Sequence, residues 1–349
     1  MNIINSDISD FIVSDGLIID VRSPEEYYKG HMPNSINIPL FNDIERAIVG
    51  KKYKVSGRKH AVLEGLSIIE RKLNRLIEDL SSANEKNNLI NNEETNEDKI
   101  LKIYCARGGM RSQSISWLLH KMRVKAVTLK GGYKSYRNYV LNMFLMKTNY
   151  MIIGGKTGTG KTRILNILKE HGYQTIDLEH LANHRGSSFG GLGMKSQPSN
   201  EQFENLIADE LKNFNKKEAI YLEAESANIG KCRIPFELFK RMKESPRIEI
   251  INSKENRIKE LINTYSKYPS IELIESVEKI SRRLGPQRTK SAKESIDKKD
   301  WEGVCEAVLD YYDKCYEYEL INSDRNVKYI NLKDKGEELI VFSIINIMN

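Results

Sequence analysis

Cysteine is scarce in this chain and never paired. Cys105, Cys232, Cys305 and Cys315 are the four among 349 residues. None forms a CxxC pair and no cysteine–histidine cluster has zinc spacing, which argues against a structural zinc or a disulfide framework. Long apolar runs are missing too: no stretch is long enough to span a bilayer, and no membrane partner is expected. The first residues, MNIINSDISDFIVSDG, lack a basic flank followed by an apolar stretch, so no secretory signal is expected. The expected compartment is the cytoplasm, where thiols stay reduced. There is no internal repeat. The formal net charge is +7, with many residues of both signs. That suits a polyanionic partner without requiring one.

What is present reads as two α/β domains, each long enough for its own core. In the first, about 1–140, LIIDV (17–21), SINIPL (35–40), ILKIYCA and AVTLKGG read as strands. Helical patterns such as SISWLLHKM lie between them, which predicts a mostly parallel sheet. An insertion spans about 42–98. Its first part, to about Leu80, has apolar residues at helical spacing, and SSANEKNNLINNEETNEDK after it reads as a flexible surface loop. The second domain, about 148–349, has strands at YMIIGG, YQTIDL, EAIYLEAES and RIEIINS, with KYINL as a candidate fifth. Between the last two, about 254–320 reads as helical.

GKTGTGKT, Gly155 to Thr162, matches the P-loop pattern between an apolar strand and a helix ended by Gly172. Gly155, Gly158 and Gly160 let successive N–H groups face phosphate oxygens at a helix N-terminus. Lys161 reaches the terminal phosphates, and Thr162 can ligate Mg²⁺. A nucleotide hydrolase would end a later strand in aspartate. Here that strand offers Glu223 and Glu225, either as site groups or as solvated strand ends. DLEHLANHRGSSFGG, after another strand, carries Asp177, His180, His184, Arg185 and several glycines. It reads as an anion or acid–base loop, with a solvated glycine loop as the alternative.

Cys105 ends a strand, and ARGGMRS leads from it into a helix. Free N–H groups, the helix N-terminus and the charges of Arg107 and Arg111 favour a thiolate there. Such a thiolate could attack sulfur or selenium donors and carry the chalcogen. The alternative is a small buried residue. Cys305 and Cys315 lie in helical patterns and read as packing residues.

DVRSPEEYYKGHMPNSINIPL together with YCARGGMRS resembles a rhodanese domain. A rhodanese domain followed by a P-loop domain resembles the bacterial tRNA 2-selenouridine synthases. NDIERAIVGKKYKVSGRKHA, GGYKSYR, GGKTGTGKT, DLEHLANHRGSSFG, LEAESANIGKCRIP, RRLGPQR and YYDKCYEYEL extend the resemblance over most of the chain. The fold it implies is a rhodanese-like α/β domain, then a P-loop NTPase-like parallel-sheet domain with a helical C-terminal subdomain. The activity it implies is wobble-uridine modification of tRNA carrying 2-thiouridine. A geranyl group from geranyl diphosphate alkylates the sulfur, and selenium from selenophosphate then replaces the geranylated sulfur.

By the same resemblance Cys105 is the catalytic nucleophile, with Arg107, Gly108, Gly109 and Arg111 as its loop. Gly155, Gly158, Gly160, Lys161 and Thr162 would bind diphosphate. Asp177, His180, Arg185, Gly186, Phe189, Gly190, Glu223, Glu225 and Ser226 would form a second site loop and its floor. No tightly bound cofactor and no protein-held metal are implied; Mg²⁺ could accompany the diphosphate, and an enzyme supplying selenophosphate is a conceivable partner. The alternatives are an ATP-dependent rhodanese-type sulfurtransferase and a phosphate-sensing regulator with a redox cysteine. The latter calls for a resolving cysteine near Cys105, and none is adjacent.

Lys254 to Lys299 is dense in cations, including Arg257, Lys259, Lys267, Lys279, Arg282, Arg283, Arg288, Lys290 and Lys293, with Tyr265 and Tyr268 between them. Acids are plentiful as well, so a solvated helical surface and an RNA face both fit. The resemblance favours tRNA contact through Arg257, Arg282, Arg283 and Arg288, with the tyrosines stacking on bases.

Overall fold

The structure is a computed structural model that describes residues 4–89, 100–321, 327–332 and 337–346. The chain divides into two compact units, Met1–Met143 and Phe144–Asn349.

The first unit runs β1 (Asn5–Ser6), α1 (Ile8–Val13), β2 (Ile18–Asp20), α2 (Pro24–Lys29), β3 (Ile36–Asn37), α3 (Asp43–Glu70) and α4 (Leu73–Leu89). It continues with β4 (Leu101–Tyr104), α5 (Met110–Lys121), β5 (Ala126–Leu129) and α6 (Gly132–Met143). The sheet order is β1-β5-β4-β2-β3, with every pairing parallel. β4 and β5 are buried along their whole length, as their continuous apolar runs predict for strands covered on both faces. The core gathers Ile19, Val21, Leu101, Ile103, Ile115 and Leu119 from the sheet and α5, with Ile68, Leu76 and Leu80 from the insertion. The insertion is therefore part of this core.

The first part of that insertion is helical, as its spacing predicts, and the expectation for the segment after it needs correction. The helical part is two helices, and α3 is itself bent at Gly57, whose φ of 80° lies outside the helical region. The segment expected as a flexible loop begins as helix, because α4 runs on to Leu89. Ala83 and Asn87 are the reason: both are buried, and the Asn87 side chain accepts a hydrogen bond from the Leu17 backbone at 2.7 Å. The rest of that segment lies outside the described residues.

The second unit opens with β6 (Asn149–Gly154), α7 (Lys161–Glu170), β7 (Gln174–Ile176), α8 (Leu178–Leu181), α9 (Asn200–Lys212) and β8 (Ala219–Glu223). A small antiparallel hairpin, β9 (Asn228–Ile229) and β10 (Cys232–Arg233), precedes α10 (Phe236–Glu244) and β11 (Arg247–Ile251). Five helices follow: α11 (Lys254–Tyr265), α12 (Ser270–Lys279), α13 (Ser281–Leu284), α14 (Pro286–Asp297) and α15 (Trp301–Ile321). The chain then returns to the sheet as β12 (Val327–Asn331) and ends in α16 (Glu337–Asn346). The large sheet has the order β12-β11-β6-β8-β7, all parallel. β6 is central, between strands that follow it by different routes, and ligands bind outside the carboxyl ends of such strands. The helical part has its own core, with Leu273, Val277, Ile280, Leu284, Ala292, Ile296 and Val308. Among the described residues no helix is long and apolar enough to cross a membrane.

Candidate active site

Each unit carries a site at the carboxyl end of its sheet. In the first, Cys105 follows β4 directly and is 3% exposed. The Gly109 N–H donates to its Sγ at 3.3 Å, and Ser112 Oγ lies 3.2 Å from the same sulfur. The loop between them is pinned from α6. Tyr133 N–H donates to the Cys105 carbonyl at 2.8 Å and Lys134 N–H to the Ala106 carbonyl at 3.0 Å. Gly132 is obligatory here: a Cβ on it would sit 2.2 Å from the Cys105 carbonyl oxygen. Of the two arginines expected to charge the thiol, one is engaged elsewhere. Arg111 holds Glu26 through two hydrogen bonds, at 2.6 and 3.2 Å. Burial alone would raise the Glu26 carboxyl, but Arg111 outweighs it and holds it below the usual range. Arg107 is exposed on the loop. The entry motif is structural: Arg22 pairs with Asp20 at 2.6 Å and lies over the Tyr133 ring at 3.7 Å.

In the second unit the P-loop lines a cavity of about 340 Å³, with Gly155, Gly158, Gly160, Lys161 and Thr162 on one side and Arg185, Gly186, Glu225 and Ser226 on another. Lys161 Nζ donates to the Gly155 carbonyl at 3.0 Å, bridging the loop from end to end. Three other elements brace it. Arg257 on α11 donates to the Thr157 carbonyl at 2.8 Å and pairs with Asp313 on α15. The Tyr316 hydroxyl accepts from Gly155 N and from Arg247, and donates to Glu249 at 2.7 Å, so its proton and both lone pairs are used. Lys156 pairs with Glu317.

Three carboxyl groups meet at the ends of β7 and β8. Ligand oxygens of Glu179, Glu223 and Glu225 lie within 4.8 Å of one another. Glu223 is fully buried; its Oε1 accepts the Glu179 N–H at 2.9 Å, and its Oε2 has no hydrogen-bond partner. Burial and then the neighbouring carboxylates raise Glu223 well above the usual range. Glu179 is pushed up to about 8, by burial first and then by Glu225, against the pull of Lys161 and Arg185. A proton shared within the group relieves this repulsion. A divalent cation would relieve it too and return the three to the ionised form. Gly186, at φ +69°, passes directly over them: a Cβ there would lie 2.9 Å from both Glu179 Oε1 and Glu225 Oε2.

A family model described as the tRNA 2-selenouridine synthase AAA domain matches residues 148–343, and the rhodanese-like domain model matches 6–139. The protein named tRNA 2-selenouridine synthase from Sulfurovum sp. (strain NBC37-1) is 32% identical, with 97% of each chain covered. Its namesake from Pseudomonas fluorescens (strain Pf0-1) is 31% identical, over 91% of this chain and 92% of the relative. The Bordetella petrii protein of that name is 30% identical, over 86% of both. This chain belongs to the tRNA 2-selenouridine synthase family.

As a tRNA 2-selenouridine synthase family member, the chain distributes the expected residues unevenly. Arg185, Gly186, Glu225 and Ser226 line the P-loop cavity. Glu223 lies beneath it, out of reach of solvent. Asp177 caps α8, its Oδ1 accepting the His180 N–H at 2.7 Å, and the His180 ring is exposed away from the cavity lining. Gly190 closes a turn by accepting the Arg185 N–H at 3.0 Å, and Phe189 packs into the helical core.

The expected RNA face needs two corrections. Arg257 is 4% exposed and held by Asp313 and Thr157, so it is a brace of the P-loop and not a surface cation. Tyr265 is a cavity wall, packed on Phe189 with ring centroids 5.8 Å apart. Arg282 and Arg283 are exposed, and Arg288 is partly exposed, 3.9 Å from Asp310. Cys305 lines an apolar pocket, whereas Cys315 is exposed beside the P-loop cavity and is no packing residue. Glu179, Ser112, Gly132 and the Tyr316 brace were not singled out by sequence. Glu179 had a signal, an acid two residues beyond a strand-ending aspartate; the brace had none.

Proposed function

We propose that this chain converts 2-thiouridine at the tRNA wobble position to 2-selenouridine in two steps. In the first, the 2-thio sulfur attacks the first carbon of geranyl diphosphate, the carbon–oxygen bond breaks, and diphosphate leaves with the electron pair. The P-loop supplies backbone N–H groups and Lys161 to the departing charge, stabilisation of a kind worth a few kcal/mol per contact. S-alkylation releases the N3 proton of the base, and the carboxyl cluster borders the cavity where that proton departs. In the second step the selenium of selenophosphate attacks C2 of the base, the carbon–sulfur bond breaks and geranylthiol leaves, water then cleaves the selenium–phosphorus bond to release phosphate, and Cys105 serves that exchange.

The observation that carries the diphosphate reading is the state of Glu223. Where a nucleotide hydrolase presents an acid to the phosphate site, this chain has a carboxyl that is fully buried and outside the cavity lining, one oxygen spent on a backbone N–H. Leaving-group stabilisation asks only for the P-loop itself. The experiment is nucleoside mass spectrometry of 2-thiouridine tRNA incubated with purified protein. Geranyl diphosphate alone should give geranylthiouridine, and both donors together should give selenouridine. Absence of the geranylated nucleoside in the first reaction, with selenouridine still formed in the second, would refute the two-step reading.

A further inference from the structure

Beside the phosphate cavity lies a second, apolar one. Thr157, Ser187, Leu261, Tyr265 and Tyr312 border both, so the two cavities meet at these side chains. Away from that mouth the second cavity is walled by Phe189, Leu273, Trp301, Val304 and Val308, from the loop after α8 and from α12 and α15. Leu273 is 2% exposed and Val308 6%, so its far end is closed by the helical core. Interiors are normally packed without such gaps. An apolar slot opening from a phosphate cradle suits one kind of ligand: a polar diphosphate head with a hydrocarbon tail.

Resting on the function proposed above, we infer that this slot seats the far end of the prenyl chain and sets its length. The slot measures about 60 Å³. On the same measure one water needs about 10–15 Å³, so there is room for about four to six waters, roughly the bulk of one branched five-carbon unit. The first unit of the chain, next to the diphosphate, lies in the shared mouth between Leu261 and Tyr265. The second unit fills the slot. A third would run into Leu273 and Trp301. The slot therefore accepts a two-unit chain and rejects a three-unit chain by collision. A one-unit chain would leave the slot empty and forgo its burial, worth about 0.8 kcal/mol per CH₂ group.

The test uses the full chain with 2-thiouridine tRNA and an equimolar mixture of dimethylallyl, geranyl and farnesyl diphosphates, read by nucleoside mass spectrometry. The wild-type protein should transfer geranyl in preference to both others. Trp301→Ala should move the geranyl-to-farnesyl ratio at least about tenfold towards farnesyl, the scale at which apolar pockets discriminate. Val304→Phe, which fills the slot, should move the ratio towards dimethylallyl. Binding of inorganic diphosphate, which occupies the P-loop alone, is measured by calorimetry in each variant and reports an intact fold. Variants that bind diphosphate like the wild type and keep its chain-length preference would overturn the slot assignment while leaving the function standing. A wild-type protein that transfers no prenyl group from any donor would overturn both.

Discussion

Arg257 Nε donates to the Thr157 carbonyl at 2.8 Å while its terminal nitrogens grip both oxygens of Asp313, tying the P-loop to α11 and α15. The helical layer thus sets the shape of the phosphate site. Removing one partner of a buried pair leaves the other uncompensated and costs about 3–5 kcal/mol. Arg257→Ala should therefore lower unfolding free energy by about that amount and weaken diphosphate binding. Arg257→Lys should not restore binding, because a lysine cannot form the fork to Asp313 and reach Thr157 as well. Denaturant unfolding and calorimetry with inorganic diphosphate measure the two effects.

The carboxyl cluster should make stability depend on pH. Glu179 is raised from the usual 4.5 to about 8 by burial and by Glu225. Between those values the folded protein holds a proton that the unfolded chain has released, so stability should fall as pH rises through that window. Glu179→Gln should flatten the fall. At pH 8.5 the variant should melt higher than wild type by about 2–4 °C or more, the shift that ~1 kcal/mol produces in a domain of this size. At pH 4.5 the two should converge. Thermal melts at both pH values decide it; equal differences at both would show that Glu179 acts through packing alone.

Arg282 and Arg283 are exposed on α13, and we propose that they meet RNA phosphates. Replacing both with alanine should weaken tRNA binding. The slope of log affinity against log salt should become shallower by about one per lost phosphate contact. Filter binding over a salt series reads this directly, and an unchanged slope would mark them as ordinary solvated side chains.

Cys105→Ser should abolish selenium incorporation and leave geranylation intact, since the cysteine belongs to a different unit from the P-loop. Ser112→Ala is the companion variant. Its hydroxyl lies 3.2 Å from Sγ, so its loss should slow the selenium step without touching the first. Nucleoside analysis with each donor separates the two steps. Selenouridine formed normally by the serine variant would remove Cys105 from the chemistry.

Much of this was legible because it is local. GKTGTGKT between a strand and a helix specifies a phosphate cradle within eight residues, and YCARGGMRS places a cysteine at a strand end in the same way. What escaped depends on partners far away in sequence. Arg257 reads as one cation among many on a polar helix, and only Asp313, on another helix, turns it inward. Tyr316 looks like any tyrosine of α15 until β6 and β11 bring Gly155, Arg247 and Glu249 to its hydroxyl. Gly132 shows its role only where α6 meets the cysteine loop. Ser81–Leu89 is polar enough to pass for a loop, yet Ala83 and Asn87 are buried at helical spacing against the sheet unit.

The most direct test of the whole account is Lys161→Ala, followed by nucleoside mass spectrometry in reactions free of ATP. Wild-type protein should geranylate 2-thiouridine tRNA without any nucleotide. The variant should lose that step by about a hundredfold or more, because departing diphosphate loses a directed positive charge. It should still convert tRNA that is already geranylated to selenouridine. A strict requirement for ATP in the wild type, with phosphate released in proportion to product, would contradict the account.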